Sequence, residues 1–279
     1  MQASLNTSKW YDRLWASFLF FTRLPFWRLY QPRRDAYEAV VEHWPLVGWL
    51  TGGAMAATLY LGSLYLSYPV AVLLAIVVRL LVTGALHEDG LADFFDGFGG
   101  GGSDRQRILD IMKDSRIGTY GVLALVCYFG LLFFALLSMS PADAALIILV
   151  ADPYAKMVAG QVVLMMPYAR TAETAKSHTV YRRFTPWAGA WLAVQGLLPL
   201  VLYFILLNER VDWQMLVFLP CLVMYFLYLL IWRRLRGYTG DCCGALFLLV
   251  ELAVYLVASY YLSTTDLTDN TDFSFLPRI

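Results

Sequence analysis

Seven stretches of this 279-residue chain hold close to twenty predominantly apolar residues each: about 44–66, 69–86, 119–138, 144–166, 187–207, 214–233 and 243–262. Twenty residues of helix rise about 30 Å, the thickness of a bilayer's hydrocarbon core. Lipid offers a backbone amide no partner, so such stretches cross it as helices. The chain is 59% hydrophobic and only 15% charged, where soluble domains are about 25% charged. The expected fold is all-α: a polytopic membrane bundle of about seven transmembrane helices plus interfacial helices, in a single membrane domain over 1–279. The stretch LWASFLFFTRLPFW (14–27) is apolar but short, and Arg23 and Pro25 interrupt it. It is expected as an aromatic-rich helix lying on the membrane surface.

Lysine and arginine set the orientation, because they accumulate on the cytoplasmic side. Segment 1–43 holds six, 87–118 four, 167–186 four and 233–241 three, while the alternate connections and the tail carry only Arg210 and Arg278. The N-terminal segment 1–43 and the loop 87–118 are therefore expected in the cytoplasm, and the acidic tail 263–279 outside. Residues 1–9 are polar and no small-residue cleavage site follows, so no signal peptide is expected. Four cysteines, two of them adjacent, make no disulfide framework and read as small apolar packers.

The long connections all fall on the cytoplasmic side, and one of them begins HEDGLADFFDGFGGGG (87–102). If the second span continues as a helix, Asp89, Asp93 and Asp96 stand at i, i+4 and i+7, on one face. Three like charges so close repel, and a divalent cation removes the conflict. Hard carboxylate oxygens suit Mg²⁺, which commonly bridges protein carboxylates to substrate phosphates. A solvated helix end is disfavoured, because helix C-termini repel negative charge. The glycines that follow, Gly99 and Gly100 among them, could cradle an anion or serve as a linker.

DRQRILDIMKDSRIGTYG (104–121) then reads as a short amphipathic surface helix, started by Asp104 or Ser103. It ends in Lys113, Asp114, Ser115 and Arg116, groups suited to a pyrophosphate and a metal. Arg105 and Arg107 read as anchors to anionic headgroups. Ionisable residues at membrane depth are functional candidates. Asp152 and Lys156, four apart, can pair on one face. Arg79 either snorkels or counters the acids, and Glu251 reads as structural or interfacial. Asp241, in GYTGDCCGA (237–245), either caps a helix or reaches the metal site, and His87 either orients Glu88, acts as a base or makes a structural hydrogen bond.

LVTGALHEDGLADFFDGFGG, followed by RILDIMKDSRIGTYGVLAL, resembles the signature of the cobalamin synthases, the adenosylcobinamide-GDP ribazoletransferases. FFTRLPF (20–26), WPLVGWLTGG (44–53), MPYAR (166–170) and GYTGDCCGA extend the likeness in the same order over nearly the whole chain. Phe94-Phe95 and the TAETAK after PYAR depart from the expected pattern, which bears on substrate packing rather than on the acids. The resemblance implies transfer of phosphocobinamide from adenosylcobinamide-GDP to α-ribazole or its 5′-phosphate, releasing GMP, with Mg²⁺, at a bacterial or archaeal cytoplasmic membrane. It is similar in reaction logic to the CDP-alcohol phosphotransferases. On this reading Asp89, Asp93 and Asp96 ligate Mg²⁺, Lys113 and Arg116 neutralise the leaving group, and Glu88 or Asp114 is the base or a further ligand. Gly99, Gly100, Ser115, Arg170 and Asp241 hold substrate. Partners are the two substrates and the bilayer, with no nucleic acid; homo-oligomerisation is left open. The alternatives are a CDP-linked lipid enzyme, whose motif fits poorly at Ala92-Asp93, and a divalent-cation transporter, which would need acids at mid-membrane from several spans.

Overall fold

The computed structural model describes residues 8–170, 180–207 and 211–269, with side chains to Ser263 in the last helix. Eleven α-helices follow one another among these residues: α1 (Trp10–Phe21), α2 (Trp44–Ser63), α3 (Tyr68–Thr83), α4 (Leu86–Gly100), α5 (Arg105–Lys113), α6 (Thr119–Leu137), α7 (Pro141–Gly160), α8 (Val162–Met165), α9 (Pro186–Leu207), α10 (Trp213–Leu235) and α11 (Gly240–Asp269). Two 3-10 turns, Phe26–Arg28 and Arg34–His43, join α1 to α2. The expected all-α membrane bundle is the fold observed.

Five helical segments are long and apolar enough to cross a bilayer: Thr119–Leu137, Pro141–Met165, Pro186–Leu206, Trp213–Leu235 and Gly240–Ser263. Two of the seven expected stretches behave differently. The 44–66 stretch does form a 20-residue helix, α2, but its tryptophans, proline, threonines and glycines leave it outside this set. The 69–86 stretch stops at Thr83 after 16 residues, and the chain turns 90° into α4. Counted as one broken span, α3 and α4 make a sixth. The turn is built from two consecutive left-handed residues, Gly84 (φ +65°) and Ala85 (φ +54°). At Ala85 this conformation costs roughly 1–2 kcal/mol. Arg23 packs over Gly84, where a Cβ would lie 2.4 Å from its Nε, and the Arg23 amide donates to the Val82 carbonyl at 2.7 Å. The N-terminal segment thus clamps the bend.

The bend corrects the placing of the acids. Span two does not continue through them. Glu88 and Asp89 sit in the first turn of the new helix α4, where the positive end of the helix dipole favours carboxylates. The 87–118 connection is likewise two helices, α4 and α5, rather than a loop. The tail begun at 263 stays helical to Asp269; residues 270–279 lie outside the described residues, as does 171–179 of the 167–186 connection. The 14–27 segment yields α1, whose 12 residues are too few to span, and which rests on the 3-10 turn 34–43.

Helices α11 and α7 form the centre, buried over 83% and 78% of their most apolar windows, whereas α6, α9 and α10 are buried over 22–28%. The peripheral three present aliphatic and phenylalanine side chains such as Val126, Leu202, Ile205, Phe218 and Phe226 outward, as lipid contact requires. Glycines set the tightest contact, α2 on α7. A Cβ at Gly48 would stand 2.7 Å from Asp152 Oδ1 and 2.9 Å from the Pro153 backbone, whereas Gly53 has open space. Gly48→Ala is therefore expected to lower stability by about 1–3 kcal/mol, and Gly53→Ala to change it little. Thermal unfolding in detergent compares the two; equal midpoints would contradict the packing account.

Candidate active site

Helix α4 lies across the N-terminal ends of α11 and α6, and glycines let it come close. A Cβ at Gly90 would sit 3.1 Å from Asp241 Cα, and one at Gly244 3.1 Å from the His87 carbonyl. Farther along, the Asp96 carboxylate accepts from the Gly118 amide at 2.7 Å and the Gly121 amide at 2.8 Å. Both oxygens are thus engaged at the start of α6, where orphan amides need acceptors. Asp89, Asp93 and Asp96 do share one face of α4, but they do different things. Asp89 is exposed and borders a cavity, Asp93 one turn on is half-buried, and Asp96 is buried as an anchor.

Beneath α4 runs a buried ionic network. Arg79 Nη1 donates to Glu251 Oε2 at 2.6 Å, and its Nη2 donates to the Tyr128 hydroxyl at 2.6 Å and to Glu88 Oε1 at 3.5 Å. Tyr255 donates to the second Glu251 oxygen at 2.9 Å. Arg79 thus counters one acid of the run, Glu88, while Glu251 is its principal partner. Nearby, Lys156 pairs with Asp152 as the four-residue spacing predicts, and Thr51 donates to the same carboxylate at 2.8 Å. The Lys156 ammonium also lies 4.1 Å over the Phe247 ring. Glu88, with its Oε2 unpartnered among the described residues, faces this network and is absent from the cavity wall.

The cavity has a volume of about 750 Å³, mouth included, and lies between α1, α2, α4, the 166–170 segment and the start of α11. Its polar wall residues include Asp89, Arg170 and Asp241, and its apolar ones Phe20, Phe21, Trp44, Tyr168 and Tyr181. Stretches far apart in sequence meet here. Tyr168 and Tyr238 form a parallel bridge, with the Ala169 amide donating to the Tyr238 carbonyl at 2.7 Å and the Tyr238 amide to the Pro167 carbonyl at 3.0 Å. Arg170 donates to the Leu109 carbonyl at 2.6 Å, tying this segment to α5. Arg105, expected to meet lipid headgroups, donates instead to the carbonyls of Leu235 and Ala169 at 2.7 and 2.8 Å.

At the end of α5, Lys113, Ser115 and Arg116 are exposed, and Asp114 and Arg116 form a forked ion pair whose shortest contact is 2.7 Å. Hydrogen bonding to that guanidinium holds the Asp114 carboxyl down to about 2. Asp104 caps α5, accepting from the Gln106 and Arg107 amides. Gly99 and Gly100 close the end of α4 onto its neighbours, and Gly101 and Gly102 (φ +61°) make the turn toward α5. A Cβ at Gly99 would strike the Tyr120 ring at 2.5 Å and one at Gly97 the Met112 side chain at 2.4 Å, while Gly100 approaches Ile111 at 3.4 Å.

Among the described residues no three His, Cys, Asp or Glu side chains already converge on a metal position. Asp89 and Asp93, one helical turn apart with Asp89 on the cavity, do fit the chemistry of Mg²⁺, which needs only one or two protein carboxylates when phosphates complete its shell. Sequence reasoning missed the aromatic walls Trp44, Tyr168 and Tyr181 and the Arg79–Glu251 pair. The pair did leave a signal, since one unmatched cation and one unmatched anion in apolar spans must find each other.

A family model described as cobalamin-5-phosphate synthase matches residues 13–259. An adenosylcobinamide-GDP ribazoletransferase of Leptospira interrogans is 30% identical over 250 residues, covering 88% of this chain and 94% of that protein. One of Pseudoalteromonas atlantica is 36% identical over 241 residues, covering 85% and 87%. One of Vibrio cholerae is 35% identical over 249 residues, covering 87% and 91%. No solved structure matches.

The division of labour along α4 separates stability from chemistry. Asp96→Ala removes the acceptor for two amides and is expected to lower stability by about 1–2 kcal/mol, the scale of a lost helix cap. Asp89→Asn, on the cavity, is expected to leave the unfolding midpoint within a degree or two. Denaturation of both variants in the same detergent checks this, and an Asp89 variant as unstable as the Asp96 one would contradict it.

Proposed function

The chain belongs to the cobalamin-5-phosphate synthase family, and on that premise we propose that it is a multi-pass membrane transferase completing the nucleotide loop of cobalamin. It moves the phosphocobinamide group of adenosylcobinamide-GDP onto α-ribazole or its 5′-phosphate and releases GMP. The observation that carries the site is the cavity where Asp89, Arg170 and Asp241 meet from three separate segments.

The acceptor's ribose hydroxyl oxygen forms the new bond to the phosphorus that carries cobinamide. The bond from that phosphorus to the GMP oxygen breaks, and GMP takes the electron pair. Phosphoryl transfer of this kind asks chiefly for positioning and for neutralisation of charge. Asp89 and Asp93 are the residues that would hold Mg²⁺, which supplies charge neutralisation on the pyrophosphate. Asp96 supports them by fixing α4 to α6. Arg170 faces the cavity as a phosphate ligand. Lys113 and Arg116, with Ser115, neutralise the departing GMP from the end of α5, and Asp114 orients Arg116. Gly99 and Gly100 serve by letting α4 pack close to that end.

Of the two candidate bases, neither is well suited. Glu88 is buried on Arg79, and Asp114 is held near 2 by Arg116. Asp241, across the cavity wall from Asp89, is the carboxylate placed to take the hydroxyl proton. The N-terminus and the cavity face the cytoplasm, following the lysine and arginine distribution, because nucleotide substrates are supplied there.

Liposomes containing the protein, given adenosylcobinamide-GDP, α-ribazole phosphate and Mg²⁺, are expected to release GMP and corrinoid product together. Asp89→Asn and Asp93→Asn should each lower the rate by at least a hundredfold, and chelation of divalent metal should abolish it. Full activity in either variant would remove the metal assignment, and no turnover in the unaltered protein would remove the transferase reading.

A pH profile tests Asp114 separately. Because its pKa is depressed to about 2, it is ionised throughout the working range and takes up a proton only near pH 2. Asp114→Asn should therefore leave the acid limb of kcat/KM between pH 5 and 8 where it was, whatever it does to the plateau. A limb displaced by half a unit or more would make Asp114 a titrating catalyst after all.

A further inference from the structure

FFTRLPF (20–26) is part of the family likeness, and the structure gives most of its residues a place. Phe20 and Phe21 line the cavity at the end of α1. Thr22 closes that helix, its hydroxyl donating to the Phe18 carbonyl at 2.7 Å. After Pro25 a 3-10 turn brings Phe26 edge-on to Trp15 and Phe18, at 5.8 and 5.5 Å between ring centres. The Arg23 amide holds the Val82 carbonyl. The Arg23 guanidinium is left over.

The aliphatic part of Arg23 lies across Gly84, where a Cβ would stand 2.6 Å from its Cγ and 3.0 Å from its Cδ. Methylenes alone make that clamp, so the bend uses the stem and not the charge. Arg79, Arg105, Arg170 and Arg182 all donate to protein acceptors. The exposed Arg23 guanidinium makes no hydrogen bond or ion pair among the described residues. A planar fork of N–H donors on a pinned stem loses little freedom on binding, and it matches phosphate oxygens in pairs.

This head group stands at the cavity rim. Arg23 comes two positions after the wall residue Phe21, and Gly84 two positions before the wall residue Leu86. Asp89, also on the wall, is one helical turn beyond Ala85, about 6 Å along α4. The wall itself holds two carboxylates, Asp89 and Asp241, against one arginine, Arg170. A diphosphate entering there meets its second arginine on the rim.

We propose that Arg23 is a further substrate-binding residue, its guanidinium taking phosphate oxygens of the donor's nucleoside diphosphate at the cavity rim. The inference rests on the transferase reading and adds a residue to it. The diphosphate linkage carries a negative charge on each phosphorus, and a fixed guanidinium binds such oxygens through charge-assisted bonds. An acceptor without phosphate gains nothing from it. Phospholipid headgroups offer the same oxygens, so the test separates the two sources.

The full chain is placed in liposomes of phosphatidylcholine alone, and in others containing phosphatidylglycerol, with adenosylcobinamide-GDP, unphosphorylated α-ribazole and Mg²⁺. Arg23→Met keeps the stem over Gly84 and removes the charge. In both kinds of liposome it should raise the KM for adenosylcobinamide-GDP at least tenfold, the worth of one hydrogen bond to a charged group. The KM for α-ribazole should stay where it was, and the unfolding midpoint within a degree or two. Arg23→Lys, a charge without the fork, should fall between the two proteins. If Arg23→Met does not fold, Arg23→Lys carries the test, and a donor KM raised severalfold upholds the proposal.

A donor KM untouched by either substitution would overturn the proposal, as would both KM values rising together. An effect confined to liposomes with phosphatidylglycerol would overturn it too, by giving Arg23 to a lipid headgroup. If the unaltered protein turns nothing over, the transferase reading fails, and calorimetric titration with inorganic pyrophosphate and Mg²⁺ decides the site independently. Binding weakened about tenfold by Arg23→Met upholds it; no binding, or binding indifferent to the substitution, ends it.

Discussion

Two cations buried in an apolar bundle, Arg79 on α3 and Lys156 on α7, decide where the rest of the structure goes. Neither can be left uncompensated at that depth, since a lone buried charge loses its hydration and gains nothing in return. Arg79 therefore holds Glu251 of α11, Tyr128 of α6 and Glu88 of α4, and Lys156 holds Asp152 beside Thr51 of α2. These two side chains involve six helices: Arg79 ties α3 to α4, α6 and α11, and Lys156 ties α7 to α2. Such pairs add little net stability over apolar packing, but they specify one arrangement, because every alternative strands a charge. The position of α4 follows from that specification. Its Glu88 is drawn down to Arg79, its Asp96 is drawn to the amides of α6, and Asp89 between them is left facing the cavity.

That division explains how one acidic run can serve both fold and chemistry. Three of its four carboxylates have separate environments: Glu88 is ionic and buried, Asp96 amide-bound and buried, and Asp89 open to a cavity. The sharp turn at Gly84-Ala85 makes this possible by starting a new helix just before them, so that the first acids meet a helix N-terminus instead of a C-terminus. A site carboxylate must be held still and yet be reachable. Here the held ones and the reachable one are neighbours on the same helix.

The sequence made the membrane class and most of the spans legible, because hydropathy acts locally. The Asp152–Lys156 pair was readable for the same reason, the partners being one helical turn apart. What escaped was non-local. The 90° break after Thr83 was hidden inside a continuous apolar run, since the left-handed turn falls on Gly84 and on an alanine that gives no warning. Asp96 carries the same charge as Asp89, and only the approach of Gly118 and Gly121 shows it to be an anchor. The run Gly99–Gly102 reads equally as an anion cradle or a linker; the partners that Gly99, Gly100 and Gly101 approach, Tyr120, Ile111 and Ile108, lie on other helices. The aromatic cavity walls come from α1 (Phe20, Phe21), the start of α2 (Trp44), the 166–170 segment (Tyr168) and Tyr181 before α9, and no local pattern in the sequence ties these stretches together.

The central claim is that the Arg79–Glu251 contact orders the bundle around α4, and a double-mutant cycle measures it directly. Arg79→Gln and Glu251→Gln would be made singly and together, and unfolding followed in one detergent. The account requires each single change to destabilise by about 3–5 kcal/mol, because it strands a buried charge, and the double change to recover most of that loss. A double variant whose loss equals the sum of the two singles would mean that the residues act independently, and the network would no longer explain the placing of α4.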